Sequence, residues 1–266
     1  MSGLSDQRDL FDKCCLHVIQ YLQTFDECSS VDFTSGFKAS QFDFEKWEKK
    51  NIPYKLSDDL KGFYSMFNGF DFSFSVDVAG SNISIGTMHL NNLDDIERQP
   101  LEGIFPFIDD IPSMTSAAFI LDDSPKEGNI CLVYRSPEDC EKMLACSGNN
   151  TAVSKTAITA TLHHSNSRDN TEIFLRAKSV SSTKGGKKNP DEANGYVNPE
   201  IWFQDRSSRW HYVAQSFSDF MRLMIVHVGI EGWHLAFTPE GLPPACKQWM
   251  GLFCKERLTI DMHQKE

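Results

Sequence analysis

The clearest pattern of apolar and polar positions lies in residues 56–86, which we predict to form a helix followed by two strands. The apolar residues of the helix recur at spacings of three and four, which places them on one face: Leu60, Phe63, Tyr64 and Phe67. Ser57 is the predicted N-cap, and Gly69 is the predicted stop because glycine tolerates the left-handed conformation that ends helices. Residues 70–77 alternate between apolar and polar, as in a strand with one buried face, and residues 82–86 predict a second strand.

The same two patterns predict the elements of the remaining chain. Helical spacing predicts four further helices: residues 7–25, a short charged helix that contains Phe42, Phe44 and Trp47, residues 217–228 and residues 243–253. Strand patterns predict four further strands, of which the last two form a hairpin: residues 117–121, 129–134, 201–204 and 210–214. Residues 27–40 and 98–115 are predicted to be loops, although Val31 and Phe33 could begin an edge strand. Together these elements predict an α+β fold with a mixed, largely antiparallel sheet flanked by helices.

Residues 136–198 interrupt this periodicity. They are rich in Ser, Thr, Asn, Lys and Gly, and we predict a disordered, low-complexity basic insertion within a hairpin. A single domain is then built from residues 1–135 and residues 199–266, with C-terminal helices in the second part. Residues 171–175 offer an alternative strand that weakly echoes residues 199–203, but the later copy is preferred because a hairpin partner follows it.

The charge of the chain is uneven. The net charge is −11 at pH 7, which argues against nucleic acids and anionic membranes as general partners because phosphate contacts need clustered Lys and Arg. Residues 151–190 are the exception, with seven basic residues against two acidic ones. The sequence therefore predicts one basic segment on an acidic body.

Composition indicates a globular protein of the cytosol. Hydrophobic residues make up 40% of the chain and aromatic residues 12%, which are globular values. No apolar run reaches the roughly 18 residues that span a bilayer, and the N-terminus lacks the basic and apolar regions of a signal peptide. The eight cysteines form no C-x-x-C pair, and we expect reduced structural thiols.

No motif in the sequence predicts catalysis, a cofactor or a metal. Acidic residues occur in adjacent pairs, whose side chains point in different directions on a helix or strand: Asp58-Asp59, Asp94-Asp95, Asp109-Asp110 and Asp122-Asp123. The histidines fit no zinc-ligand spacing, and no glycine-rich phosphate loop precedes a helix. Cys14 and His17 could touch on one helix, but nothing marks the third group and oxyanion site that a catalytic couple needs. We therefore predict no catalytic, cofactor-binding or metal-binding residues.

The tryptophans bear on partner binding. Each could belong to the core, which is the default, or anchor a partner chain: Trp202, Trp210, Trp233 and Trp249. Trp210 follows Arg209 in the predicted hairpin and is our first candidate for exposure. The predicted partner-binding residues are Arg209, Trp210 and Trp233.

Several blocks of the sequence resemble known families. The segment LSDDLKGFYSMFNGF, from Leu56 to Phe70, resembles the signature helix of the SUKH superfamily. Further blocks resemble, in the same order, the family of tubulin polyglutamylase complex subunits: ISIGTM, GNICLVY, PEIWFQDRSSRWHY, HVGIEGWHLAFT and KQW. The chain differs from that family in its long insertion and in ending at Glu266, where family members continue into a basic tail rich in Ser, Gly and Pro.

The resemblance implies a SUKH-like domain that acts as a non-catalytic scaffold or adaptor of a tubulin polyglutamylase complex. The implied partners are the catalytic glutamate ligase chain and the sibling subunits, with tubulin or microtubules reached through the assembly. It also implies a location in the cytoplasm, at the microtubule cytoskeleton, the centriole or the cilium. A second hypothesis is a structural protein of cilia or axonemes that binds microtubules through the basic residues 151–190.

Overall fold

The structure, a computed structural model, describes residues 17–101, 116–135 and 198–263. These residues contain six helices: α1 (described over residues 17–22), α2 (Gln41–Lys50), α3 (Asp58–Tyr64), α4 (Phe217–Val226), α5 (Pro244–Phe253) and α6 (Lys255–His263). They also contain eight strands: β1 (Cys28–Ser35), β2 (Phe70–Val78), β3 (Ser81–Leu90), β4 (Arg98–Gln99), β5 (Ala117–Asp122), β6 (Gly128–Tyr134), β7 (Glu200–Asp205) and β8 (Trp210–Ala214). Short 3-10 helices cover Leu93–Asp95 and Trp233–Phe237. In the described parts of the chain, no helix is both long and apolar enough to cross a bilayer.

The strands form two antiparallel sheets, which confirms the predicted α+β class. The first sheet has the order β1-β2-β3, and the second runs in chain order from β4 to β8. Every neighbouring pair in both sheets is antiparallel. A bridge between Gly86 of β3 and Ile230 attaches the first sheet to the segment that follows α4.

One continuous hydrophobic core contains residues of both sheets and of α1 to α5. Aromatic rings with centroids 5.0–5.4 Å apart join these elements: Phe63 of α3 with Phe217 of α4, Phe74 of β2 with Phe253 of α5, and Trp47 of α2 with Phe119 of β5. Such separations are typical of favourable aromatic pairs. Buried rings therefore attach α2 and α5 to the sheets and α3 to α4.

Helix α3 begins where the sequence predicts, but its cap differs. Ser57 occupies the N-cap position, yet its hydroxyl donates to Oδ1 of Asp59 at 2.5 Å rather than accepting a backbone N–H. The same oxygen of Asp59 accepts the N–H of Leu60, and Oδ2 of Asp59 accepts the N–H of Ser218 at the start of α4. Asp59 therefore supplies the hydrogen bond expected of Ser57, and it also ties α3 to α4.

Strand β1 lies where a loop was predicted. Val31 is opposite Phe74 and Phe33 is opposite Phe72 in the first sheet. The loop prediction for residues 27–40 is thus wrong over β1, and the alternative of an edge strand is confirmed. An edge strand buries only part of each side chain and has one neighbour, so its pattern in the sequence is weak. Strand β4 likewise occupies the start of a predicted loop.

Strands β6 and β7 flank residues 136–197. Val133 of β6 pairs with Glu200 of β7, and Nη2 of Arg135 lies 2.6 Å from Oε1 of Glu200. An ion pair thus closes the two strands at the point where the chain leaves the sheet and returns to it. The predicted insertion, except its last residue, and the alternative strand at residues 171–175 lie outside the described residues, as do residues 7–16 of the first predicted helix. The domain boundaries stay a prediction.

Candidate functional site

The predicted partner-binding residue Trp210 is buried, with 1% of its surface exposed, so the expected exposure is wrong. Trp210 is opposite Gln204 in the β7–β8 pair, which places its indole on the same face of the sheet as Trp202. There it belongs to a second, smaller apolar cluster of the five-stranded sheet: Ala118, Cys131, Val133, Trp202 and Trp210. Its neighbour Arg209 suggested a surface position, but the strand alternation decides the direction of the side chain.

Arg209 lies at the surface, but its guanidinium is already paired. Its Nε lies 2.8 Å from Oδ2 of Asp205, and its Nη1 lies 2.6 Å from Oε1 of Glu240. Asp205 also accepts the backbone N–H groups of Ser207 and Arg209, so one carboxylate closes the β7–β8 turn. Arg209 therefore connects this turn to the segment after the second 3-10 helix.

Trp233 is buried at the start of that 3-10 helix. Its ring stacks on the imidazole of His227 with centroids 4.6 Å apart and lies 6.0 Å from the ring of Phe220 in α4. Trp233 therefore belongs to the core, which was the default interpretation for each tryptophan. A partner contact made by Arg209, Trp210 or Trp233 stays a prediction, and Arg209 alone has the surface position for it.

A small crevice lies between the β5–β6 turn and the segment before Trp233. Its polar walls include Asp122, Glu127 and His234, and its volume is about 60 Å³. His234 is buried, and its Nε2 lies 3.5 Å from Oε2 of Glu127, which is longer than a hydrogen bond. The crevice therefore brings two carboxylates together with an imidazole that lies more than a hundred residues from them in the sequence.

The two carboxylates of this crevice differ in pKa. Burial raises the pKa of Asp122, although the N–H of Ser124 donates to one of its oxygens. The neighbouring imidazole of His234 lowers the pKa of Glu127. Sites for drug-sized ligands occupy about 300–1,000 Å³, so a nucleotide does not fit in this crevice.

His89 lies beside Asp122 and Asp123, and one donor atom of each lies within 4.8 Å of the others. Nδ1 of His89 faces a carboxylate oxygen of Asp71, and Nε2 faces the amide oxygen of Asn91 at 2.9 Å. Both neighbours offer acceptor oxygens, which favours the form of the ring that carries hydrogen on both nitrogens. Burial opposes the positive charge, but the hydrogen bonds to Asn91 and Asp71 outweigh it and raise the pKa of His89. The group is therefore better described as an imidazolium among acids than as a set of metal ligands.

Exposed apolar side chains gather at α2, where the sequence analysis named no functional residue. We call this the α2 surface and define it by six exposed residues: Phe37, Lys38, Phe42, Lys49, Lys50 and Ile52. The signal was present in the helical spacing, because Phe44 and Trp47 are three residues apart on the buried face and Phe42 lies off that face. The sequence analysis treated Phe42, Phe44 and Trp47 as one set, and so it did not separate the exposed ring from the two buried ones.

Curated relatives cover most of the chain. The relative from Rattus norvegicus is 27% identical over 247 residues, which are 91% of this chain and 71% of that protein. Those from Mus musculus and Homo sapiens are 26% and 25% identical, cover 91% and 94% of this chain, and are covered over 71% and 72% of their own length. All three are named tubulin polyglutamylase complex subunit 2. The chain is homologous to these proteins.

Similarity to tubulin polyglutamylase complex subunit 2 confirms the resemblance predicted from the aromatic blocks. No protein-family model matches the chain, so membership of the SUKH superfamily stays a prediction. No solved structure matches it either.

Proposed function

We propose that this chain is a non-catalytic scaffold subunit of a tubulin polyglutamylase complex. The observation that carries the proposal is similarity along nine-tenths of the chain to proteins named as a subunit of that complex. Similarity of this extent covers both parts of the α+β body rather than a single motif. The role of subunit is extended from the relatives to this chain.

The chemistry of the described residues supports a role without catalysis. Glutamate ligation needs ATP, magnesium and a large domain that holds the nucleotide. The crevice beside Asp122 offers about 60 Å³, and a second hollow beside Arg98 and Leu101 offers about 240 Å³, which is still below the range of sites for drug-sized ligands. The thiols of α5 and its C-cap are poor nucleophiles, because burial raises the pKa of both Cys246 and Cys254 to about 12. These two thiols are thus held in their neutral form.

In this role the chain acts through its surface. A rigid body that holds the ligase chain beside tubulin raises the effective concentration of tubulin at the ligase. For short connections this concentration reaches about millimolar. The rate of glutamate addition then rises without any new chemical step. The proposal places this assembly in the cytoplasm, at microtubules of the centriole or cilium.

Purification of the tagged full chain from ciliated cells tests the proposal. We expect the ligase chain and sibling subunits to co-purify, and we expect depletion of the chain to lower tubulin polyglutamylation in those cells. Purified chain alone, given ATP, magnesium, glutamate and tubulin, should add no glutamate. The proposal fails if no ligase co-purifies or if the isolated chain ligates glutamate.

A second candidate function is direct microtubule binding, and the charge of residues 151–190 favours it. This segment contains seven basic and two acidic residues, whereas the net charge of the whole chain is −11. Deletion of residues 151–190 separates the two functions. Loss of salt-sensitive co-sedimentation with purified microtubules supports direct binding, whereas unchanged recovery of the ligase complex supports the scaffold.

A further inference from the structure

We infer that the α2 surface binds an acidic segment of a partner protein that also carries apolar side chains. The inference rests on the proposed function, because it assumes that the chain works within a protein complex. It adds the place on this chain where a partner docks and the chemistry of the segment that docks there.

The exposure of its apolar residues singles this surface out. Phe37 is 97% exposed, Ile52 74% and Phe42 72%, whereas no other large apolar side chain among residues 17–101, 116–135 and 198–263 exceeds 49%. Single exposed apolar residues are ordinary on protein surfaces. Here the three most exposed large apolar side chains of the described residues lie on or beside one short helix, and a concentration of apolar exposure marks interaction sites.

The surface is held rigidly. Ser40 caps α2 through a reciprocal pair of hydrogen bonds with Asp43, in which each residue's side chain accepts the backbone N–H of the other. On the opposite face, Phe44 and Trp47 are buried, and the ring of Trp47 packs against Phe119 of β5. Because α2 is already fixed before binding, a partner pays little ordering entropy on this side of the interface.

The charge around these apolar residues is mixed, with an excess of positive groups. Three carboxylates also lie on α2, but Asp43 is engaged in capping the helix, Glu45 accepts a hydrogen bond from the amide of Gln41, and Glu48 pairs with Lys61. Lys38, Lys49 and Lys50 form no ion pair with any described residue, whereas Lys46 pairs with Asp94. Phe42 and Lys49 are seven residues apart and so lie on one line of the helix. A segment with acidic side chains beside apolar ones would satisfy both features at once.

Charge also selects between possible occupants. Two copies of a chain with a net charge of −11 repel each other, which disfavours a second copy on this surface. Polyphosphates and anionic vesicles meet the same repulsion over the whole body, and polyphosphates also offer no counterpart to the apolar residues. A protein segment brings its acidic groups locally, so it is the occupant that the surface fits.

Two double variants test the inference in the full chain. Phe37→Ser with Phe42→Ser removes the rings, and Lys49→Glu with Lys50→Glu reverses the charge. The matched controls are Ile260→Ser with Met262→Ser on α6, where the side chains are about half exposed, and Lys247→Glu with Lys255→Glu. Circular dichroism and thermal melting should match the parent for all four proteins, since each changed side chain lies at or near the surface.

We expect each α2 variant to lower recovery of at least one subunit of the complex by roughly tenfold or more, as for residues at the centre of an interface, while the controls recover it fully. A zero-length carbodiimide should join Lys49 or Lys50 of the parent to an Asp or Glu of that subunit. The inference is overturned if both α2 variants recover every subunit and no such cross-link forms. It is also overturned if the cross-links join two copies of this chain, or if the variants lose binding to RNA or anionic vesicles and to no protein.

The same experiment separates this inference from the proposed function. If the parent recovers no ligase, the proposed function fails; the docking inference then stands only if a mapped acidic cross-link to another protein disappears in the Phe37→Ser/Phe42→Ser variant. If the parent recovers the complex and the α2 variants recover it equally, the docking inference fails and the scaffold role stands.

Discussion

Oδ2 of Asp261 lies 2.9 Å from Nε2 of His227, and water reaches neither side chain. His227 follows α4 and donates through Nδ1 to the carbonyl of Leu223, while Arg257 pairs with the other carboxylate oxygen of Asp261. Asp261 is the one residue of α6 that is fully buried. This carboxylate therefore attaches α6 to the body of the protein, together with Leu258, which is partly buried against the core.

Replacement of Asp261 by alanine should lower the free energy of unfolding by about 3 kcal/mol or more, because it leaves the partly buried guanidinium of Arg257 without its carboxylate and opens a gap beside the buried ring of His227. Chemical denaturation followed by circular dichroism measures the change. Asp94→Ala is the control, since it removes an exposed ion pair with Lys46 and should leave stability unchanged within error. Equal effects of the two substitutions would contradict the importance of the buried pair.

Gly86→Ala should destabilise the protein, and Gly251→Ala should stabilise it. A Cβ at Gly86 would lie 1.8 Å from the ring of Phe74, which is buried and cannot move aside freely, so a loss of about 1–3 kcal/mol is expected. A Cβ at Gly251 within α5 meets its nearest neighbour, Leu258, at 3.9 Å, and alanine favours helices over glycine by roughly 0.5–1 kcal/mol. Denaturation curves of the two variants should therefore shift in opposite directions, and shifts in one direction would refute the contact described at Gly86.

His89→Gln should cost stability mainly at low pH. The raised pKa of His89 means that the folded protein binds this proton more tightly than the unfolded chain, in which the pKa is about 6.5. The stabilisation is fully present below about pH 6.5 and is lost as the pH rises through the folded value. The difference in unfolding free energy between parent and variant should thus be larger at about pH 5.5 than at about pH 9.

Asp71→Asn provides the control for this pH dependence. It replaces a charged acceptor of the imidazolium by a neutral amide, so the pKa of His89 measured by NMR titration should fall. A stability difference that grew with pH, or a His89 titration that ignored Asp71, would contradict the assignment of a charged ring.

Trp210→Ala should lower the free energy of unfolding by about 3–5 kcal/mol, as for other large side chains removed from a core. Phe42→Ala, which truncates a side chain that is largely exposed, should leave stability unchanged within error. Thermal and chemical denaturation of both variants check the assignment of Trp210 to the core. Parent-like stability of Trp210→Ala would restore it as a candidate anchor.

The elements that the sequence predicted well are those whose residues follow one period over many positions. The alternation that leads into β2 continues to Val78, and the β7–β8 hairpin forms where it was expected. The periodicity of apolar residues reflects which side of an element contacts the core. A long element places several residues on that side, so its pattern is easier to recognise. The fold class could therefore be predicted from the sequence.

The features that escaped prediction depend on contacts between distant parts of the chain. Helix α6 has little apolar pattern, since its one fully buried residue is Asp261, and only the fold shows that His227 lies beside it. The burial of Trp210 required the strand register, and the crevice beside His234 required three separate segments to meet. Contacts between residues that are far apart in the chain cannot be predicted from local sequence patterns.

The ion pair between Arg135 and Glu200 has a consequence for how this protein can change over evolutionary time. Because the pair and the neighbouring ladder close β6 on β7, the sheet does not depend on what joins them, and doubling the length of a connecting loop costs only about 0.6 kcal/mol. The length of that stretch can therefore change at little cost to the stability of the sheet. The same tolerance makes it the natural position for a genetically encoded reporter.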